Sequence, residues 1–187
     1  MHNRLVAGVT GSCDHAFVPS IRFVQLSPAA LAALIDGDLA AASAAAGTPL
    51  SRFLVDEAWL WRIRLEQVEA DPASADWIAR AVLDDVSSQV VGHGGFHGPP
   101  DGDGVVEVAY SVDPAFRRRG YAKEILRRLL ERVDADPAVR AVRASIRPDN
   151  AGSLATIAGF GFRKVGEQWD QEDGLEHVFL RPAAGTS

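Results

Sequence analysis

Apolar residues recur along this chain with two different periods, and the switch between them lays out its elements. Residues 21–26 read as a first strand. Ser27-Pro28 then supplies a helix cap with proline at the first helical position, and Leu31, Leu34 and Ile35 form a short buried stripe ending at Gly37. The alanine-rich residues 38–46 continue as helix on propensity and stop at Gly47-Thr48-Pro49. One helix is expected over 53–68, ended by Asp71-Pro72. Trp59 and Trp61 fall on different sides of it, so one of them lines a groove or a contact. Beyond Pro72 the period drops to two. Residues 77–83 and 89–97 are β-rich runs joined by a hairpin signal at 84–88, and the glycine- and proline-dense 98–104 is a turn.

That turn delivers the chain into the stretch around which the rest is organised. Residues 105–112 form a strand of β-formers stopped by Asp113-Pro114. From Tyr121 the period returns to that of a helix, with Ile125, Leu126, Leu129, Leu130 and Val133 on one stripe and charged residues on the other. Asp136-Pro137 breaks it before a strand over 139–146, and a helix between two strands favours a parallel crossover. A short helix capped by Asp149 or Asn150 and stopped at Gly161 follows, then strands over 163–169 and 175–180. The order predicts an α+β fold, layered around a mixed sheet. Residues 1–20 are an arm of uncertain structure, either loosely held or a short strand over 4–9, and 21–187 are expected to form a single domain.

Composition narrows the class. A hydrophobic fraction of 47% with 24% charged residues is that of a soluble globule, and no apolar run approaches membrane-spanning length. The N-terminus does not read as a signal peptide, and the single cysteine, Cys13, excludes an intrachain disulfide and a thiolate metal cluster. A cytoplasmic protein without a membrane partner is expected. Net charge is −6, but residues 117–147 carry ten Lys/Arg against four Asp/Glu. A basic segment on an acidic body is prepared for an anion, and the acidic remainder favours a cationic substrate by steering.

The basic segment has a defined form. Arg117-Arg118-Arg119-Gly120-Tyr121-Ala122 lies between the strand and its helix. The N–H groups of the helix's first turn, the positive end of its dipole and three arginines converge there, and Gly120 lacks the Cβ that would hold a phosphate away. The physics implies a cradle for a phosphate or diphosphate. The pattern Arg117-x-x-Gly120-x-Ala122 resembles the signature of the GCN5-related N-acetyltransferase (GNAT) superfamily. A second element, Asn150-x-x-Ser153 followed by Gly161-Phe162, resembles its other motif in the right order. Residues 95–122, with a glycine-rich turn and the Glu107-x-x-Tyr110 strand, are most similar to the ribosomal-protein N-terminal (RimJ/RimL-like) branch.

The resemblance implies a mixed, mostly antiparallel central sheet with helices on both faces, and acetyl-coenzyme A as co-substrate. It assigns the diphosphate to the backbone of residues 118–122, with Arg117 and Arg119 as side-chain partners. It assigns the pantetheine arm to Tyr110, Ser111 and Val112, with the Val112 N–H polarising the thioester carbonyl. Asn150 either hydrogen-bonds that arm or is an ordinary helix cap. Many family members protonate the leaving thiolate with a tyrosine seven residues after the motif asparagine; here that residue is Ile157. Ser153, water or the substrate's own proton would serve instead.

Acetyl transfer to an amine also needs a base. Strand alternation puts Glu107, Ala109 and Ser111 on one face. A carboxylate among valines is costly unless its face is wet or lines a cleft, so Glu107 is the leading candidate. His93 and His97, four apart on the preceding strand, are its rivals, and two histidines without a third ligand make no metal site. The expected activity is direct ternary-complex transfer of acetyl to a primary amine, a protein N-terminus or a small molecule, by a monomer or homodimer. Trp59, Trp61 and residues 99–104 are the expected acceptor lining. A non-catalytic acyl-CoA-binding module is the alternative. A nucleic-acid binder is disfavoured, since Phe116 and Tyr121 are the only aromatics near the arginines.

Overall fold

A computed structural model describes residues 19–184. The possible strand over 4–9 and Cys13 lie outside the described residues. The elements are β1 (Ile21–Val24), α1 (Pro28–Ile35), α2 (Leu39–Ala46), α3 (Arg52–Asp56), α4 (Ala58–Ala70), β2 (Arg80–Asp84), β3 (Val90–Phe96), β4 (Val105–Val112), α5 (Tyr121–Asp134), β5 (Ala141–Ile146), α6 (Ala151–Ile157), β6 (Arg163–Asp170) and β7 (Gly174–Pro182). The strands make one sheet in the order β1-β2-β3-β4-β5-β7-β6, antiparallel except for the β4–β5 pair. That parallel pair is the crossover carried by α5, as the helix between two strands predicts. None of the helices of the described residues is long and apolar enough to cross a membrane.

Each face of the sheet buries its own helical layer. On one side Leu31, Leu34, Leu54, Leu60 and Trp61 from α1, α3 and α4 pack against Ala81, Leu83 and Val90. On the other, the α5 stripe of Ile125, Leu126, Leu129 and Val133 covers Val82, Val106, Val108 and Val142, with Ile157 of α6 beside it. Helix α5 lies very close to β3: a Cβ at Gly94 would come within 2.7 Å of Ile125 Cγ2. The absent side chain is therefore what lets α5 seat on the sheet.

The single helix expected over 53–68 is two. Glu57 leaves helical geometry (φ −94°, ψ 27°) between α3 and α4. The indole Nε1 of Trp61 donates to Leu54 O at 2.6 Å, a bond a continuous helix would not allow seven residues apart. Trp61 is thereby fully buried, while Trp59 is 55% exposed and bonds Glu57. The short helix after Asn150 also stops earlier than predicted, at Ile157.

The end of β7 is clamped to the end of α5. Arg181 donates twice to the Asp134 carboxylate, both at 2.8 Å, and once to Phe160 O at 3.0 Å, while Ala184 N–H reaches Asp134 at 2.8 Å. The Arg181 hydrogen bonds hold Asp134 below the usual carboxylate range, against the opposing effect of burial. A depressed carboxylate stabilises the fold above its unfolded pKa, and that stability is lost as pH falls through the folded value. Asp134→Asn is expected to cost about 2 kcal/mol at neutral pH. Urea titrations should show that difference shrinking once the pH drops below about 4; a difference independent of acid would refute the clamp.

Candidate active site

The sheet parts in its middle. Strands β4 and β5 pair only through Val105–Ala141, Val106–Val142 and Glu107–Arg143. On its other edge β4 stays paired with β3 as far as Val112. Glu107 O accepts from His97 N (2.8 Å) and Asp113 N donates to Val91 O (3.0 Å), so the odd-numbered residues turn their backbone groups toward β3. Antiparallel pairing alternates, so Val108, Tyr110 and Val112 turn theirs into the gap. Ser111, register partner of His93, spends its backbone on β3 and offers the gap its neighbours instead.

A cleft of about 910 Å³ opens on the α5–α6 side of this gap. Its walls are Tyr110, Ser111 and Val112 from β4, the turn before α5, and residues 149–153 with Thr156 at α6. Two left-handed residues shape the turn, Arg118 (φ 62°) and Gly120 (φ 88°). Gly120 is the N-cap of α5 and no side chain caps that helix. A Cβ on Gly120 would sit 3.3 Å from the Pro19 ring. Arg117 and Arg118 line the cleft, and Lys123 adds a cation that periodicity had placed only on the polar stripe. Arg117 Nε also donates to Val112 O at 3.1 Å, bracing the strand's end. Arg119 instead lies over the Phe116 ring, 5.4 Å from its centroid, and is absent from the cleft walls. An uncapped helix start with an open Gly120 and three cations fits a diphosphate.

The turn is anchored from behind. Tyr121 Oη donates to the buried Asp84 at 2.9 Å, whose other oxygen takes Val86 N, Ser87 N and Ser87 Oγ. These hydrogen bonds, led by the Ser87 amide, keep Asp84 low and ionised. Asn150 caps α6, accepting Ser153 N at 3.0 Å through its side-chain oxygen. The cap leaves its amide nitrogen for another partner, so the two roles considered for Asn150 are compatible.

A second cavity, of about 350 Å³, lies on the sheet face that carries Glu107. Tyr110, Asn150 and Ser153 belong to the walls of both cavities, so the two meet at the gap. Glu107 accepts from Ser145 Oγ at 2.5 Å and stands 3.8 Å from His97 Nδ1. The Tyr110 phenol oxygen is buried beside the Ser153 and Thr156 hydroxyls without a well-formed hydrogen bond, and burial pushes its pKa up to about 12. It is therefore a neutral hydrogen-bond donor at the junction.

Residues 22–163 match the family described as the acetyltransferase (GNAT) domain. The chain belongs to that family. Among its relatives, the uncharacterized N-acetyltransferase YjdG of Bacillus subtilis (strain 168) is 32% identical over 74 residues, 40% of this chain and 44% of that protein. The L-2,4-diaminobutyric acid acetyltransferase of Nocardia farcinica (strain IFM 10152) is 32% identical over 129 residues, 63% of this chain and 66% of that protein. The chain thus spans less than two thirds of the length of these relatives. In fold, this GNAT chain is similar to the ribosomal-protein-S5-alanine acetyltransferase of Vibrio fischeri, with TM-score 0.61, 14% identity, and coverage of 89% and 94% of the two chains.

Within this GNAT chain the rivals of Glu107 separate. His93 is 6% exposed, stacks with Phe53 and meets the Trp61 edge, and among the described residues neither ring nitrogen has a hydrogen-bond partner. Burial, with Arg64 adding to it, pushes His93 down to about 4, and it lines neither cavity. His97 does line the second cavity; burial lowers its pKa while Glu107 opposes. Trp59, Trp61 and residues 99–104 line neither cavity, contrary to expectation. Trp61 is spent in the core, and the loop is closed on itself by Asp101, which accepts from Asp103 N and Val105 N. The missed residues are Ser145 on β5 and Gln168, Asp170 and Glu176 on β6 and β7. A carboxylate in the apolar run of β7 was the available signal, the same one that marked Glu107.

Proposed function

We propose that the chain is an acetyl-CoA-dependent N-acetyltransferase that moves acetyl directly to a primary amine, with residues 21–187 as the transferase domain. The parting of β4 from β5 carries this reading, because it joins a diphosphate-fitting cleft to a carboxylate-bearing cavity. The backbone of residues 118–122, with Arg117, Arg118 and Lys123, holds the donor's diphosphate; Arg119, stacked on Phe116, contributes less. The pantetheine arm lies along the gap against Tyr110 and Val112, with Ser111 and Asn150 at its sides. The Val112 N–H polarises the thioester carbonyl.

Glu107 accepts the proton of the acceptor ammonium, directly or through water, and the neutral nitrogen attacks the carbonyl carbon. A C–N bond forms and the C–S bond breaks; the proton shed by the acylated nitrogen passes through the Ser153 hydroxyl, which gives one proton as it takes another, to the departing thiolate, with the Tyr110 phenol donating a hydrogen bond beside it. Ile157, 4% exposed within the α5-side core, has no proton to give. The Nocardia farcinica relative's named acceptor is a small amine, which supports a small molecule over a protein N-terminus.

Thiol release from acetyl-CoA across a panel of amines and N-terminal peptides tests the reading, with acetylated product identified by mass. Turnover with at least one amine is expected. Tight acetyl-CoA binding with no turnover on any acceptor would make the chain a binding module instead.

A further inference from the structure

Glu176 is a buried carboxylate with little compensation. It is 9% exposed, and among the described residues its carboxylate takes a hydrogen bond from the neutral amide of Gln168, Nε2 to Oε2 at 2.9 Å. Among the described residues it forms no ion pair. A carboxylate withdrawn from water without a counter-charge is costly, and a fold keeps one where a cation arrives from outside.

Its surroundings say where that cation would stand. Glu176 lines the cavity of Glu107, whose walls hold four carboxylates, Glu107, Asp170, Asp173 and Glu176, and no lysine or arginine. Two of these are otherwise engaged: Asp170 caps the amides of Glu172 and Asp173, and Asp173 faces Arg147 at 4.0 Å. The basic side chain in the walls is His97, 55% exposed and 3.8 Å from Glu107, with Glu176 adding a weaker attraction. Glu107 and Glu176 are then linked by neutral groups alone. Ser145 Oγ donates to Glu107 at 2.5 Å, Gln168 Nε2 reaches Ser145 Oγ at 3.2 Å, and the same nitrogen reaches Glu176 at 2.9 Å. This chain fixes two negative charges a few bridging atoms apart on one cavity wall.

We propose that the acceptor is a short diamine or an equivalent dication, whose second ammonium is received by Glu176 while its reacting nitrogen faces Glu107. The proposal rests on the transferase reading for the identity of the reacting end. The second ammonium replaces the missing counter-charge of Glu176, and an acceptor with a carboxylate at that position is repelled.

Diaminobutane and pentylamine have the same number of heavy atoms and differ in the second charge. Thiol release should favour the diamine by roughly ten- to a hundredfold in kcat/KM, the range of a hydrogen bond to a charged group. Calorimetric titration of each amine into the coenzyme A-loaded protein should show a similar preference. In Glu176→Gln that ratio should collapse toward one, while acetyl-CoA affinity reports that the variant is folded. Equal use of the two amines by the wild type, or a preference surviving in Glu176→Gln, would overturn the proposal. A Glu176-dependent preference in binding without thiol release from any amine would uphold the dication site and sink the transferase reading.

Discussion

Gly120→Glu will abolish acetyl-CoA binding. The residue stands at φ 88° at the start of α5, where the uncapped helix and Arg117, Arg118 and Lys123 face the cleft. A glutamate there puts a like charge against the diphosphate, and such juxtapositions cost several kcal/mol, so the Kd should rise by more than about a hundredfold. Two other effects accompany any side chain at this site. The left-handed backbone is strained for an L residue, and the Cβ crowds Pro19 at 3.3 Å. Gly120→Gln carries the same bulk and strain without the charge and separates them. Calorimetry with coenzyme A should rank wild type above Gly120→Gln and that above Gly120→Glu. Unimpaired binding in the glutamate variant would place the diphosphate elsewhere.

Glu107→Gln will depress kcat by about a hundred- to ten-thousandfold, the contribution typical of a positioned base. The amide oxygen can still accept from Ser145 Oγ, so the local arrangement should survive and donor affinity should change little. The pH dependence carries the discrimination. The wild-type rate should rise with pH along a limb governed by the base, and that limb should flatten in the variant. A variant that keeps the limb moves the base to His97, 3.8 Å away, or to solvent. His93 is a poor substitute, since a pKa of about 4 in a closed aromatic pocket gives it no path to a substrate proton.

The donor half was legible because its information is local. A strand, a basic turn and an amphipathic helix occupy one continuous stretch, and their periods and stop signals are written in neighbouring residues. The burial of Tyr121, Ile125, Leu126, Leu129, Leu130 and Val133 follows the predicted stripe. Arg119 is not distinguishable from its neighbours in sequence, because a run of three arginines does not reveal which one the turn rotates over Phe116. The α3–α4 break was illegible for another reason. It depends on the Trp61 indole reaching Leu54 O, a tertiary choice that a helical period cannot contain. The acceptor cavity was hardest, since it exists only when β7 inserts between β5 and β6 and brings Glu176 to the face of Glu107. Nothing near the polar residues of β6 in sequence marks them as a cavity wall.

The sheet's strand order also divides the chain into two modules with separate liberties. The family match ends at residue 163, where β6 begins. Everything that fits the donor lies before that point, along with Glu107, whereas Gln168, Asp170, Asp173 and Glu176 lie after it. The turn at Gly120 takes no part in that cavity, and the hairpin itself is held by β5 and by the Arg181–Asp134 clamp. On the proposed reading, recharging the β6 and β7 side chains that face the cavity changes which amine is accepted, while the turn at Gly120 and its cations stay as they are.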